Sequence, residues 1–294
     1  FSRKRDIRLA EAAVHAVAYR TRPGEDFILY THQANASAIG ILGQDVKHIS
    51  GYMDGADVIL GPVVCCASYD KDPMGKTADQ VEKALKRQTN SAAVLLQNRG
   101  ALCIGSDDKS AFSVARTLEQ VADFRYREMV KEANEIDLPI QKRREKLRTF
   151  YTVFERESDV DYERRSAIYD LKEVNCIIYS HTPYVKKMGL YKSERKSYIE
   201  DQTYLIGYNL ICLPGDCRFS QIAKALKNSR AVLIEGVGAV CIGQNRREAE
   251  TVCEVLEKGA QAALLGQVKH AAPLSDSALR YIQRANRRRS SWKN

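Results

Sequence analysis

The chain has 294 residues, 44% of them hydrophobic and 28% charged, and a formal net charge of +9. That composition gives a globular chain enough apolar surface for one large or two ordinary domains. No apolar run approaches the roughly 18 residues a membrane helix needs, so no membrane span is expected. The basic excess gathers in Lys142-Arg143-Arg144 and in Arg287-Arg288-Arg289. Without an RNA-binding aromatic signature or zinc-finger spacing, these runs read as solvated helix faces and a loose tail, and nucleic acid is not an expected partner. Phe1 to Arg8 is basic, but no hydrophobic signal core follows it. Phe1 is an unusual first residue, which raises the expectation that the native chain begins earlier. None of the eight cysteines lies in a Cys-x-x-Cys pair, and a reducing cytoplasm is the simplest home for such a chain.

Residues 7–21 read as an amphipathic helix with Ala10, Ala13, Val14, Val17 and Ala18 on one side, ended by Pro23 and Gly24. Phe27 to Thr31 follows as a buried-type strand. Ala34 to Leu42 is expected to be helical, and Asp57 to Pro62 to be a short strand. A loop through Pro73 and Gly75 leads to a helix from about Thr77 to Lys86, with Thr77 as its cap. Gly75-Lys76-Thr77 resembles a phosphate-binding fragment, but Asp70 stands where the full loop needs a glycine, and the helix-capping reading is preferred.

A compact unit comes next: strand Ala93–Gln97, turn Asn98-Arg99-Gly100, strand Ala101–Gly105. It is followed by a helix capped by Asp107, with Ala111, Val114, Ala115, Leu118, Val121 and Ala122 as its apolar stripe. The unit recurs as Ala231 to Gly243, with Asn245 as the next cap and a stripe through Ala249, Val252, Leu256 and Ala260. Gly238 follows Gly100 by 138 positions. The Phe27 strand and its His32 recur as Cys176-Ile-Ile-Tyr179-Ser-His181, with His181 following His32 by 149 positions. Two markers in the same order at similar offsets point to a tandem duplication. The expected organisation is residues 1–135 as the first copy, 136–274 as a more divergent second copy, and 275–294 as a basic helix and tail. The charged segment from Met129 to Asp161 is expected to join the copies as helix, turn and helix.

These residues resemble the class II aldolase/adducin family. The first half carries Glu11, His15, Tyr19, Arg22-Pro23, Tyr30-Thr-His32, Asn98-Arg99-Gly100 and Leu118-Glu119-Gln-Val-Ala122. The second half matches more thinly, through Asp161, Tyr169, Tyr179-Ser-His181, Glu235-Gly-Val237-Gly238 and Glu248-Ala249. The resemblance implies two α/β/α sandwich domains around mainly antiparallel sheets, in an oligomer with sites at subunit interfaces. In active members three histidines bind zinc, which polarises the substrate carbonyl, and an acidic residue serves as a further ligand and as acid/base.

Carried over residue by residue, that site is incomplete. Glu11 and His32 match the acid and one metal histidine, while Tyr30 and Arg99 stand where two other histidines belong. In the second copy Asp161 and His181 match, and Tyr179 and Val237 do not. A catalytic zinc normally takes three protein ligands plus water, and a full structural site is worth roughly 10–16 kcal/mol. Two ligands keep little of that, and Arg99 adds a permanent cation. Zinc or another divalent metal is therefore disfavoured as a cofactor; if one binds, Glu11 and His32 are its ligands. The candidate catalytic residues are Glu11, Tyr30 and His32 with Asp161, Tyr179 and His181, since a Tyr–His–carboxylate cluster can move protons without metal. Arg99 is the candidate substrate-binding residue, supplying charge to a small sugar-like, possibly phosphorylated ligand. The alternatives are a non-catalytic assembly protein and, more weakly, an active metal-dependent sugar-phosphate aldolase. Fusing two copies leads to the expectation of a homo-oligomer, a dimer or a larger even assembly.

Overall fold

The computed structural model describes residues 7–71, 76–132, 144–190, 196–207 and 210–290. The chain separates into two compact units, Phe1–Asn134 and Glu135–Asn294.

In the first unit the elements are α1 (Ile7–Thr21), β1 (Phe27–Thr31), α2 (Ala34–Gly40), β2 (Val46–Lys47), α3 (Ile49–Tyr52), α4 (Ala56–Leu60), β3 (Val63–Ala67), α5 (Lys76–Arg87), β4 (Ala93–Leu96), β5 (Gly100–Gly105) and α6 (Asp108–Glu132). The sheet order is β1-β5-β4-β3-β2, antiparallel except for the β3–β4 pair. Alternation along the strands sends Ile28, Cys65, Val94, Leu96, Leu102 and Ile104 to one face, where Val14 and Val17 of α1 and Val81 and Leu85 of α5 cover them. α2 and α6 cover the other face, a three-layer arrangement.

The second unit continues with a short 3-10 segment Arg144–Phe150, then β6 (Tyr151–Glu155), α7 (Tyr162–Tyr169), β7 (Cys176–Ser180), α8 (Pro183–Leu190), α9 (Glu200–Leu205), β8 (Cys212–Leu213), α10 (Phe219–Leu226), β9 (Ala231–Ile234), β10 (Gly238–Gly243), α11 (Arg246–Val268) and α12 (Asp276–Ser290). Its sheet order is β6-β7-β10-β9-β8, again with one parallel pair, β8–β9. Four strands of each sheet correspond. Phe27 lies opposite Gly105, and Cys176 lies opposite Gly243. Cys66 pairs with Leu95, and Cys212 pairs with Leu233. Even the thiols agree: Cys66 Sγ donates to the Gly40 carbonyl and Cys212 Sγ to the Gly189 carbonyl, each at 3.9 Å. The fifth strand differs. The first sheet adds β2 beside β3, while the second adds β6 on the far side, beside β7.

The helices α1, α6 and α11 and the β4–β5 and β9–β10 hairpins are present, and the expected stripes are buried at Val14, Val17 and Ala18 of α1 and along α6 and α11, while the Ala10 side chain lies outside the described residues. Asp107 Oδ1 accepts the Ser110 N–H at 2.7 Å, and Asn245 Oδ1 accepts the Glu248 N–H at 3.0 Å, so both expected caps form. Three local expectations are corrected. Residues 57–60 of the expected strand lie instead in the helix α4, because Gly55 (φ 73°) and Gly61 (φ 84°) break the chain on either side and the buried pair Ala56 and Leu60 has the four-residue spacing of a helix face. The segment from Met129 to Asp161 is not helix, turn and helix: α6 runs to Glu132, and after residues 133–143, which lie outside the described residues, the chain forms the 3-10 segment and β6. The β-branched and aromatic run Tyr151-Thr-Val-Phe prefers a sheet edge to a helix. Thr77 is the second residue of α5 rather than its cap, and its side chain is buried. Gly75 and the runs Lys142-Arg143 and Arg3-Lys4-Arg5 lie outside the described residues.

The Leu-Glu-x-x-Ala stretch has a physical role that its spacing alone does not disclose. Glu119 Oε1 and Oε2 accept the N–H groups of Asn35 and Ala36 at 2.9 and 3.0 Å. Glu257 does the same for Tyr184 and Val185 at 3.0 and 2.9 Å. Each long helix therefore supplies a carboxylate to the first turn of the short helix behind the histidine strand, where orphan donors and the helix dipole favour negative charge. Glu257 is 1% exposed. Glu257→Ala should leave two buried N–H groups without partners and destabilise the second unit by about 2–3 kcal/mol, read as a shift of its urea unfolding midpoint, with Glu257→Gln intermediate. An unchanged midpoint would show that water replaces the carboxylate.

Candidate functional site

Both candidate corners rest on one backbone constraint. The β4–β5 turn passes so near β1 that a Cβ on Gly100 would lie 2.0 Å from the Thr31 carbonyl oxygen, and a Cβ on Gly238 would lie 2.1 Å from that of Ser180. Only glycine allows this approach. It brings the preceding turn residue against the histidine. The carbonyl oxygen of Arg99 is 3.0 Å from His32 Nδ1, and that of Val237 is 3.0 Å from His181 Nδ1. A carbonyl can only accept, so Nδ1 carries the proton in both rings and the neutral imidazole has its lone pair on Nε2. That is the tautomer a base or a ligand through Nε2 requires.

In the first unit the Tyr30 and His32 rings lie 5.0 Å apart, tilted by 46°. Tyr30 packs against the core beneath α1 and α5. Glu11 sits half-buried on α1, one turn before His15. Partial burial holds the His15 imidazole below its usual pKa, with the Glu11 charge opposing.

Arg99 is 5% exposed, and its guanidinium is directed into the protein. Nη1 donates to Thr77 Oγ1 at 2.5 Å, Nη2 donates to the Asp70 carbonyl at 2.6 Å, and the group lies 5.1 Å from the Tyr69 ring centroid. It fastens the hairpin turn to the start of α5. The same residue thus orients His32 with its carbonyl and closes the neighbouring space with its side chain.

The second unit is filled differently. Asp161 precedes α7 and is half-exposed, and the cation beside it is Arg165, 3.5 Å away. Arg165 stands four residues after Asp161, where His15 stands four after Glu11. Its Nε and Nη2 donate to the two oxygens of Asp159 at 2.7 and 2.5 Å, and Tyr169 Oη donates to Asp159 at 2.9 Å. The guanidinium lies 3.8 Å from the Phe154 ring centroid, and Tyr179 meets the same ring edge-on at 5.3 Å. Burial raises the Tyr179 pKa, and Arg165 partly offsets that. Phe154, Asp159, Arg165, Tyr169 and Tyr179 thus form one cluster, with Asp161 3.5 Å from its arginine. Asp159 and Arg165 were not among the candidates read from sequence; the four-residue spacing from Asp161 was the signal that could have found Arg165.

Among the described residues no group of three or more His, Cys, Asp and Glu side chains is arranged to hold a metal ion. The donor set at these corners does not fit the zinc that the family resemblance implies.

The hydrogen bonds from Arg165 hold the Asp159 carboxyl down at about 2, below the usual carboxylate value near 3.9. A depressed carboxylate contributes stability that is present above the unfolded value and lost as pH falls through the folded one. Acid unfolding of the second unit should therefore include a component between about pH 4 and pH 2. Asp159→Asn should flatten the stability profile in that window, read by chemical unfolding at a series of pH values.

Comparison with known proteins agrees with the fold. The model of the Class II Aldolase and Adducin N-terminal domain matches residues 2–126 and again residues 156–264, together most of the chain. A 5-deoxy-D-ribulose 1-phosphate aldolase of Bacillus thuringiensis serovar kurstaki is 30% identical over 117 residues, covering 40% of this chain and 52% of the relative. The chain thus spans about half the length of the curated relative it matches. Among solved structures, an L-fuculose 1-phosphate aldolase aligns at 23% identity over 47% of this chain and 59% of its own, with a TM-score of 0.35. YgbL from Klebsiella pneumoniae aligns at 18% identity over 42% of this chain and 65% of its own, with a TM-score of 0.38. With two successive regions matched by one domain model, the chain belongs to the class II aldolase and adducin N-terminal domain family.

Proposed function

We propose that this chain is a metal-free member of the family in which the first copy binds, and in the fuller form of the reading processes, a small sugar-like molecule at the Glu11–Tyr30–His32 corner. The second copy serves as its structural companion. The observation that carries the reading is the contrast between two equivalent corners. Both keep the carbonyl bond to Nδ1 that puts the histidine lone pair on Nε2, but among the described residues only the second has an arginine beside the family carboxylate. In the first corner Nε2 would accept a proton from a ligand hydroxyl, the Tyr30 phenol would donate to a ligand oxygen, and Glu11 would serve as the family's acid/base carboxylate. The sugar-like character of the ligand follows the matched relative, an aldolase of 5-deoxy-D-ribulose 1-phosphate. The eight unpaired cysteines suit a reducing cytoplasm, and the duplication suits a dimer or larger even assembly.

A second reading is favoured by one observation. Arg99 and Arg165 both spend their hydrogen bonds on groups of their own unit, which suits a non-catalytic assembly protein whose corners are closed by internal bonds.

Protein purified without a metal-affinity step should contain far less than one zinc per chain, and a thermal-shift screen of sugar phosphates and hydroxyaldehydes should find a stabilising ligand. His32→Ala should abolish that shift, while His181→Ala should leave it intact. Near-stoichiometric zinc lost in Glu11→Ala or His32→Ala would overturn the metal-free reading. No stabilisation by any compound, with no retro-aldol cleavage, would leave the assembly reading in its place.

A further inference from the structure

The two copies are also built differently at a place away from the histidines. In the first unit Arg22, just past α1, turns back onto helix ends. Its Nη2 donates to the carbonyls of Leu85 and Gln88, around the end of α5, at 2.9 and 2.7 Å. Its Nη1 donates to the Thr21 carbonyl at 3.3 Å. Carbonyls at a helix C-terminus carry partial negative charge and need donors, and a guanidinium supplies both the opposite charge and the donors.

The backbone frame around this place recurs in the second unit. The Ser91 N–H donates to the Gln88 carbonyl, and the Ser229 N–H to that of Leu226, each at 3.3 Å. The Ala92 N–H meets the Leu60 carbonyl at 3.0 Å, and the Arg230 N–H meets that of Ile206 at 3.2 Å. The Glu25 N–H meets the Arg22 carbonyl at 3.2 Å, and the Val174 N–H meets that of Leu171 at 3.3 Å. Leu171 therefore stands where Arg22 stands, and its apolar side chain packs on the core of its unit instead of donating. The walls are also further apart. A Cβ on Gly61 would lie 2.3 Å from the Asn90 carbonyl oxygen, whereas one on Gly207 would lie 3.6 Å from that of Asn228. A cavity of about 980 Å³ opens here, between the ends of α7, α9 and α10. Val174, Ile206, Leu226 and Ile242 give it a buried apolar floor. It lies at the opposite end of β7 from His181, about 17 Å along the strand, and is separate from the candidate corner.

We propose that this cavity binds a small guanidinium compound of the arginine type, the group that the first copy supplies from its own chain. The guanidinium takes the place of the Arg22 head against the carbonyl end of α10, and its methylene stem lies on the apolar floor. The rim has gained the charge such a ligand needs. Glu173 stands where the first copy has Gly24, and Glu248 stands where it has Ser110, each three residues after its helix cap. Glu173 keeps the left-handed backbone of Gly24, φ 63° against 102°, a conformation that costs a residue with a side chain more than it costs glycine. Gln244 holds both carboxylates, its Nε2 donating to Glu173 at 2.7 Å and its N–H donating to Glu248 at 3.1 Å. Arg230 lines the same cavity but is directed to Glu248, 3.7 Å away. Lys172 and Lys227 are exposed on the rim, where they meet the carboxylate of an arginine-like ligand. The inference goes beyond the ligand reading of the first corner and does not rest on it, since the cavity lies wholly in the second unit.

The test is calorimetric titration of the full chain with arginine and with citrulline, which has nearly the same shape but a neutral urea in place of the guanidinium. Arginine should bind saturably at millimolar concentration or below, and citrulline at least about tenfold more weakly. Leu171→Arg gives the second copy the filling that the first copy has. It should weaken arginine binding at least about tenfold, with an unchanged or raised melting temperature. Should that variant fail to fold, Glu173→Gly provides an independent reading: it matches the residue of the first copy, relieves the left-handed backbone and removes one rim carboxylate, so it should stay folded and bind arginine more weakly. The absence of saturable arginine binding would overturn the proposal, as would equal binding of citrulline. Undiminished arginine binding in folded Leu171→Arg or in Glu173→Gly would overturn it as well.

Discussion

A glycine without room for a side chain underlies each candidate corner. Gly100 and Gly238 let the hairpin strand pass against the carbonyl that ends the histidine strand. That contact, repeated in both copies, brings the turn carbonyl to His Nδ1 at the same 3.0 Å distance. Tautomer, ring orientation and the position of Nε2 all follow from it. Had a larger residue stood at either position, the turn would have to move away and the imidazole would lose its orienting acceptor. The turn residue's own side chain is not needed for this, which explains how Arg99 and Val237 can occupy one place in the fold while the histidine geometry stays the same.

The buried carboxylates add a second constraint of the same kind. Glu119 and Glu257 lie on the longest helix of each unit and reach across to the short helix that follows the histidine. The bond links the far layer of the sandwich to the chain just beyond the candidate corner. A charge so buried is costly unless it accepts hydrogen bonds, and here two backbone N–H groups meet it. The strand end, the turn and the short helix behind them are therefore held from two sides by features common to both copies.

On that common frame the copies diverge through their arginines. In the first, Arg99 comes from the hairpin turn and fastens it to α5. In the second, Arg165 comes from α7 and is held by Asp159 while it packs on Phe154. Either way a permanent cation, satisfied by oxygen atoms of its own unit, stands near a place where the family resemblance expects metal ligands. The outer strand edge differs among the described residues as well: in the second copy β6 pairs along β7, while in the first β1 is paired with β5.

The duplication, the histidine strands, the glycine hairpins and their capped helices were legible in the sequence because local rules govern them. Apolar periodicity, turn glycines and Asp or Asn caps act within a few residues, and the offsets between repeated markers need no coordinates. The substituted histidine positions could be read in the same way, by matching the copies to each other and to the family. Contacts distant in sequence were not legible. Nothing local says that Glu257 caps α8 from 73 residues away, that Arg99 turns inward to Thr77, or that Asp159 takes Arg165 away from a purely local reading of Asp161. The strand β6 was missed because its run of five residues sits inside a highly charged segment and becomes a strand only by pairing with β7. Sequence alone determined the family, the repeat and the identity of the candidate side chains. Tertiary structure decided which atoms those side chains face, because hydrogen-bond partners and sheet edges are set by elements that meet only when the chain is folded.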